Sequence, residues 1–334
     1  MKKAVLFGNP KQLSYVYSRE VLSSLRERLE LPEEFLTKAQ LLTQPSLCRE
    51  TEYLFTTWGM EHFERQEIRD LFPSLKAVFY AAGSVQHFAR EFLQEGIEVY
   101  SAWCANGVPV AEYTVSQIIL ANKGFFQSLR LFQEKGREAA SSYCSRFPGN
   151  FLPTTVGLIG AGMIGSLVAK MLQQYSLRVL CFDPFLSTQR AKELKVEQVE
   201  LPVLFRESNV ISNHLANNSQ TVGMLDYSLF SSMKENATFL NTGRGAQIVE
   251  MDLVRALKEK PDRTAVLDVT FPEPPEADHP FYKLSNVFLT PHIAGSMSYE
   301  VVRMSEYMRD ECFALLDGAA VRYRVTWEML KTMA

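Results

Sequence analysis

The sequence predicts an α/β protein made of two doubly wound parallel-sheet domains, and three observations carry that prediction. Short apolar runs alternate with helical patterns twice, once within the first hundred residues and again from residue 154 onward. The second series opens on a glycine-rich turn, Gly160-Ala161-Gly162-Met163-Ile164-Gly165, set between a strand pattern and a helix pattern. A chain of 334 residues with 46% hydrophobic content is long and apolar enough for two separate cores.

In chain order, residues 4–7 read as a strand and 19–29 as a charged amphipathic helix. Strands follow at 53–57, 75–80 and 97–102, and Ala81-Ala82-Gly83-Ser84 comes after the second of these. Such alternation argues for a small parallel sheet. From 110 to about 132, Val115, Ile118, Ile119, Phe125, Phe126 and Leu129 recur at helical spacing, interrupted only by Gly124. One long linking helix is expected there, kinked at the glycine. The polar, irregular stretch 134–153 is too long for a simple connector and suits an arm that packs on another subunit or stays mobile.

Residues 154–160 (TTVGLIG) have the β-branched and apolar density of a buried parallel strand. The glycines after it have separate tasks. Gly160 makes the tight turn, and Gly162 lets the backbone approach a pyrophosphate. Gly165 lets the new helix pack on the strand, with its N-terminal amides, around Met163 and Ile164, aimed at the phosphates. A second strand, 177–182, ends at Asp183. An acidic side chain there accepts both hydrogen bonds of an adenosine ribose and repels a 2′-phosphate, so NAD is expected rather than NADP. The alternation continues with a helix near 188–194, strands at 209–213 and 238–241, a helix at 249–257, and strands at 264–267 and 286–289. A helix at 297–316 can return the chain to its first domain. The expected division is 1–109 plus 297–334 for one domain and 110–296 for the other. This is a Rossmann-type nucleotide domain inserted into a flavodoxin-like substrate domain, with a cleft between them.

Three phrases at strand exits carry reactive side chains: Asn-Thr-Gly-Arg-Gly (241–245), Asp-Val-Thr-Phe-Pro-Glu-Pro-Pro (268–275) and Thr-Pro-His-Ile-Ala-Gly-Ser (290–296). A permanent cation (Arg244), a titratable imidazole (His292) and a carboxylate able to hold it (Glu273) together can polarise and protonate a carbonyl oxygen. A planar guanidinium matches a carboxylate in bidentate fashion, which an ammonium does not.

Other classes find no support. Net charge is −3 with basic residues scattered, which gives no nucleic-acid or membrane-seeking surface. The five cysteines are far apart and lack a C-x-x-C pair, so neither a disulfide framework nor a zinc site is indicated, and Cys181 reads as a small core residue. The apolar run near the N-terminus is four residues long, shorter than the ~7–15 of a signal peptide, and no stretch reaches the ~20 of a membrane span. A cytoplasmic setting is the expectation. His62, His87 and His279 read as surface residues.

From Asn106–Glu112 (NGVPVAE) through the glycine turn, Asp183, and the three strand-exit phrases, the chain resembles the D-isomer-specific 2-hydroxyacid dehydrogenases. The likeness spans 106–296 closely and is architectural in the first eighty residues. It implies NAD-dependent, reversible reduction of a 2-oxo acid to the (R)-2-hydroxy acid. Arg244 then binds the substrate's carboxylate and carbonyl, His292 exchanges the proton, and Glu273 pairs with His292. The resemblance further implies that the backbone around Gly83 and Ser84 holds the carboxylate, that Asp268 lies near the nicotinamide amide, and that His214 and Thr242 lie near the nucleotide. Thr114 suits either the nicotinamide end or helix packing. A homodimer joined through the nucleotide domain and the 134–153 arm is implied as well. The chain departs from the family's pattern at His214-Leu-Ala216-Asn-Asn218, at Gly243 and Ala246 around Arg244, and at Pro153 in the arm. Two rivals keep the fold: a non-catalytic NAD(H)-sensing protein, and a dehydrogenase of another small anion such as phosphite.

Overall fold

The computed structural model describes residues 1–332. Two parallel sheets form, one in each of two units: Met1–Gly107 with the chain from Ser296 onward, and Val108–Gly295.

The first unit contains β1 (Lys2–Phe7), β2 (Leu29–Glu30), β3 (Phe35–Leu36), β4 (Tyr53–Thr56), β5 (Ala77–Tyr80) and β6 (Glu98–Ser101). Their order is β2-β1-β4-β5-β6, with β3 also on β1, and every pairing is parallel. This is the flavodoxin-like winding. β4 and β5 are buried along their whole length, as strands covered on both faces must be. Phe55, Phe79 and Tyr100 stand in register on one face and stack at centroid distances of 4.9 and 5.0 Å, tying three strands together. The two-residue strands β2 and β3 are too short to show a period and go unread in the sequence.

The second unit contains β7 (Thr155–Ile159), β8 (Arg178–Phe182), β9 (Glu197–Gln198), β10 (Val210–Asn213), β11 (Thr238–Asn241), β12 (Thr264–Leu267) and β13 (Val287–Leu289). The order β13-β12-β11-β10-β7-β8-β9 is parallel throughout and reverses direction beside β7. A parallel sheet wound this way opens a crevice at the carboxyl ends of its strands where the order reverses, here between β7 and β10. One face of the sheet is closed by Phe205, Phe230 and Phe239 with the apolar side of helix Glu250–Glu259. The other is closed by Ala111, Val115 and Ile118 with Val168 and Leu172.

Two expectations are corrected. The single helix expected at 110–132 is a pair, Trp103–Asn122 and Phe125–Lys135. Gly124 separates them in the left-handed region at φ +68°, where an added Cβ would lie 2.3 Å from the Phe147 ring. The stretch expected to be irregular holds a helix, Arg137–Cys144, which packs back on Phe125–Lys135 with Ser128 Oγ 2.9 Å from Cys144 Sγ. Cys181 is a core residue, as expected, and burial pushes its thiol up to about 12.

Phe239 is fully buried, with its ring 5.1 Å from Phe230 and 6.3 Å from Phe205. Phe239→Ala is expected to lower stability by about 3–5 kcal/mol, read from the midpoint of urea unfolding.

Candidate active site

The glycine turn follows β7. Gly160 has φ +94°, and a Cβ there would lie 2.8 Å from the His214 carbonyl oxygen. At Gly165 a Cβ would fall 2.0 Å from the Gly160 carbonyl oxygen, so the helix Met163–Leu172 sits as close to the strand as backbone allows. Gly162 differs: its added Cβ meets nothing within 4 Å. As the N-cap it offers no side-chain acceptor, so the first-turn amides at Met163 and Ile164 are left for an outside anion. Asp183 accepts the Ala161 N–H at Oδ2 (2.7 Å) and the Phe185 N–H at Oδ1 (2.8 Å). The carboxylate therefore braces the turn, and each oxygen keeps a lone pair for a ribose hydroxyl. His214 lies on the other side, its N–H bonded to the Ile159 oxygen (2.7 Å) and Nε2 2.9 Å from Ser212 Oγ. Burial pushes its imidazole down to about 4, so it is neutral near pH 7. Open space over Gly162, uncapped amides and an acidic side chain fit a dinucleotide.

β11, β12 and β13 are neighbours, and their ladder sets Asn241, Leu267 and Leu289 level. Arg244 and His292 each lie three residues past that line, on loops rooted roughly 10 Å apart at the usual strand spacing. Arg244 is exposed and has no carboxylate partner among the described residues; one guanidinium N–H folds back to the Gly243 oxygen at 2.8 Å. His292 Nδ1 lies 2.6 Å from Glu273 Oε1, and both side chains are partly open to solvent. The imidazole Nε2 has no protein partner among the described residues.

Asp268 lies one residue past β12. It is buried, and its carboxylate accepts from the Thr290 hydroxyl (2.6 Å) and from the Ile293 and Ala294 N–H groups (2.8 and 2.9 Å), so it shapes the loop that carries His292. Tyr113 donates to Thr290 in turn at 3.2 Å. Thr114 is fully buried with its hydroxyl 3.1 Å from that of Thr242. In the first unit Ser101 Oγ contacts the carbonyl oxygens of Ala82 and Gly83 at 2.9 and 2.6 Å. The Gly83 and Ser84 amides have no acceptor among the described residues.

Sequence reading missed a buried amide network beneath Arg244. Asn213 Nδ2 donates to Asn241 Oδ1 (3.0 Å) and Gln247 Oε1 (2.6 Å), and Gln247 Nε2 donates to the Leu215 oxygen (2.8 Å). The Arg244 N–H reaches Gln247 Oε1 at 3.3 Å. The available signal was an asparagine ending each of two adjacent apolar strands, Asn213 and Asn241. Gly245 adds a close approach: a Cβ there would lie 2.0 Å from the Thr270 carbonyl carbon, so the arginine loop and the Glu273 loop touch through backbone. His279 is not a surface residue; only 14% of its side chain is exposed, and Nε2 lies 3.4 Å from Glu250 Oε2.

Residues 116–294, more than half of the chain, match the family model described as D-isomer specific 2-hydroxyacid dehydrogenase, NAD binding domain. The chain belongs to that family. NAD is the cofactor its inner unit is built for. The chain is 32% identical to the D-3-phosphoglycerate dehydrogenase of Archaeoglobus fulgidus over 232 residues, which are 70% of this chain but only 43% of that protein. It is 29% identical over 266 residues to the glyoxylate reductase of Korarchaeum cryptofilum, covering 79% of this chain and 80% of the other. In fold it is similar to a phosphoglycerate oxidoreductase from Rhizobium etli, with a TM-score of 0.82 at 20% identity over 99% of this chain and 100% of that one. Among the described residues no helix is long and apolar enough to cross a membrane, and no cluster of side chains suits a metal ion.

The two inner glycines separate folding from binding. Gly165→Ala is expected to cost about 1–3 kcal/mol by forcing backbone apart. Gly162→Ala leaves urea unfolding near wild type while weakening NADH, read by fluorescence titration. The lowered His214 pKa gives a pH effect of definite sign. Between the ordinary 6.5 and about 4 the unfolded chain binds the extra proton, so stability falls as pH drops through that window. His214→Gln is expected to flatten that part of the stability profile.

Proposed function

We propose that the chain reversibly reduces a 2-oxo acid to its (R)-2-hydroxy acid. The observation that carries this reading is the 2.6 Å contact of His292 Nδ1 with Glu273, which leaves Nε2 as the nitrogen that exchanges a proton. Bound NADH supplies the hydride. Arg244, with no acidic partner among the described residues, holds the substrate's carboxylate and polarises its carbonyl, and the Gly83 and Ser84 amides add donors to the carboxylate. His292 delivers the proton from Nε2 to the 2-oxygen, and Glu273 stabilises the imidazolium and fixes the tautomer once the proton has gone. In the oxidative direction the same nitrogen takes the proton back. Asp183 favours NAD over NADP through the ribose. The names of the similar proteins, a glyoxylate reductase and a D-3-phosphoglycerate dehydrogenase, support a small 2-oxo acid, phosphorylated or not. Exposed Phe132 just before the arm and Phe151 and Leu152 at its end support a homodimer formed there.

NADH oxidation against a panel of 2-oxo acids tests the reading: glyoxylate, hydroxypyruvate, pyruvate, branched and aromatic oxo acids, and phosphohydroxypyruvate. Turnover with at least one is expected, lost in Arg244→Ala. His292→Ala is expected to lower kcat by ~10²–10⁴-fold with NADH binding retained. A His292→Ala enzyme with wild-type kcat removes the imidazole from the mechanism. Asp183→Ala is expected to weaken NADH and admit NADPH, seen as a fall in the ratio of the two kcat/KM values.

A further inference from the structure

A second carboxylate–imidazole contact lies at the root of the loop that carries Glu273. Glu250 opens the helix Glu250–Glu259, and only 10% of its side chain is exposed. Its Oε1 accepts the Phe271 N–H at 2.9 Å, and its Oε2 lies 3.4 Å from His279 Nε2. His279 Nδ1 accepts the Phe281 N–H at 3.3 Å, so the neutral imidazole carries its proton on Nε2, facing Glu250. The ring also packs on Phe281 at 4.5 Å. One carboxylate therefore holds both stems of the loop, residue 271 with one oxygen and residue 279 with the other.

We propose that Glu250 and His279 are positioning residues that set Glu273 against His292, an inference that rests on reading His292 as the proton-exchanging group. Between the two stems, Pro272, Pro274 and Pro275 fix much of the backbone, and the Thr270 hydroxyl donates to the Pro272 oxygen at 3.0 Å. The loop is stiff, so its placement depends on how its ends are anchored. Glu273 has no hydrogen-bond partner besides His292 among the described residues, so its carboxylate goes where the loop backbone puts it. Burial pushes the Glu250 carboxyl above the usual carboxylate range, opposed by the Phe271 N–H and by His279. The other charged groups on the loop, Glu276 and Asp278, are exposed.

The test reads the His292 tautomer directly. In protein carrying ¹⁵N-labelled histidine, the Nδ1–H signal of His292 is identified by its loss in His292→Ala and is expected to give way to a mixed tautomer in Glu273→Ala. Glu250→Ala is expected to move the same signal toward that mixture and to lower kcat ~10-fold, with the KM for NADH unchanged. His279→Phe, which keeps a ring on Phe281 but removes the Nε2 contact, is expected to give a smaller shift of the same kind. It stands in for Glu250→Ala if that variant does not fold. A wild-type His292 signal in folded Glu250→Ala, or in His279→Phe where Glu250→Ala does not fold, overturns the proposal. If wild-type protein reduces no 2-oxo acid while the His292 signal still responds to Glu250, the reaction assigned above fails and the clamp stands.

Discussion

The buried carboxylate of Asp268 is the fastening on which the site depends. It lies one residue past β12, and its own N–H bonds to the Asn241 oxygen at 3.0 Å, at the level where the arginine loop departs. Its carbonyl accepts from the His292 N–H at 3.1 Å, and its two side-chain oxygens take three donors from the following loop. An ionised carboxylate removed from water without such donors would be costly, while charge-assisted hydrogen bonds of this kind contribute about 1.5–3 kcal/mol each. The His292 imidazole, its backbone held at φ +56°, thus stands on a loop with little freedom.

Where three loops converge, two devices separate their duties. Backbone touching backbone, as at Gly245 against Thr270 and Gly165 against Gly160, sets distances that no side chain could share. Amide side chains then fix orientation: Asn213 and Gln247 link the turn after β10 to the arginine loop. The turn after β10 and the arginine loop are joined by buried amides whose polar side-chain atoms each have a partner, the condition under which such groups stabilise rather than weaken a core.

Much of this was legible in the sequence. The strand exits were readable because glycine and proline mark them and because parallel strands are dense in β-branched residues, and the carboxylate–imidazole pair followed from residue type and order. The losses have physical causes. β2, β3 and β9 are two residues long, below any period. Residue 124 is held to glycine by its positive φ and by the Phe147 ring more than twenty residues away, and half of helix Arg137–Cys144 is alanine and serine, which carry no apolar stripe. His279 was misjudged because it gains its meaning from a partner distant in sequence, Glu250.

The hydroxyl of Ser101 has a consequence of its own. By contacting two successive carbonyl oxygens, those of Ala82 and Gly83, it fixes the peptide planes of the loop and so decides where the following amides aim. The ordering entropy of that loop is met once, when the first unit folds. Under the proposed role of Gly83 and Ser84, binding would be a contest between water and ligand for donors already aimed, in which a weakly hydrated carboxylate would gain over a strongly hydrated competitor of the same charge.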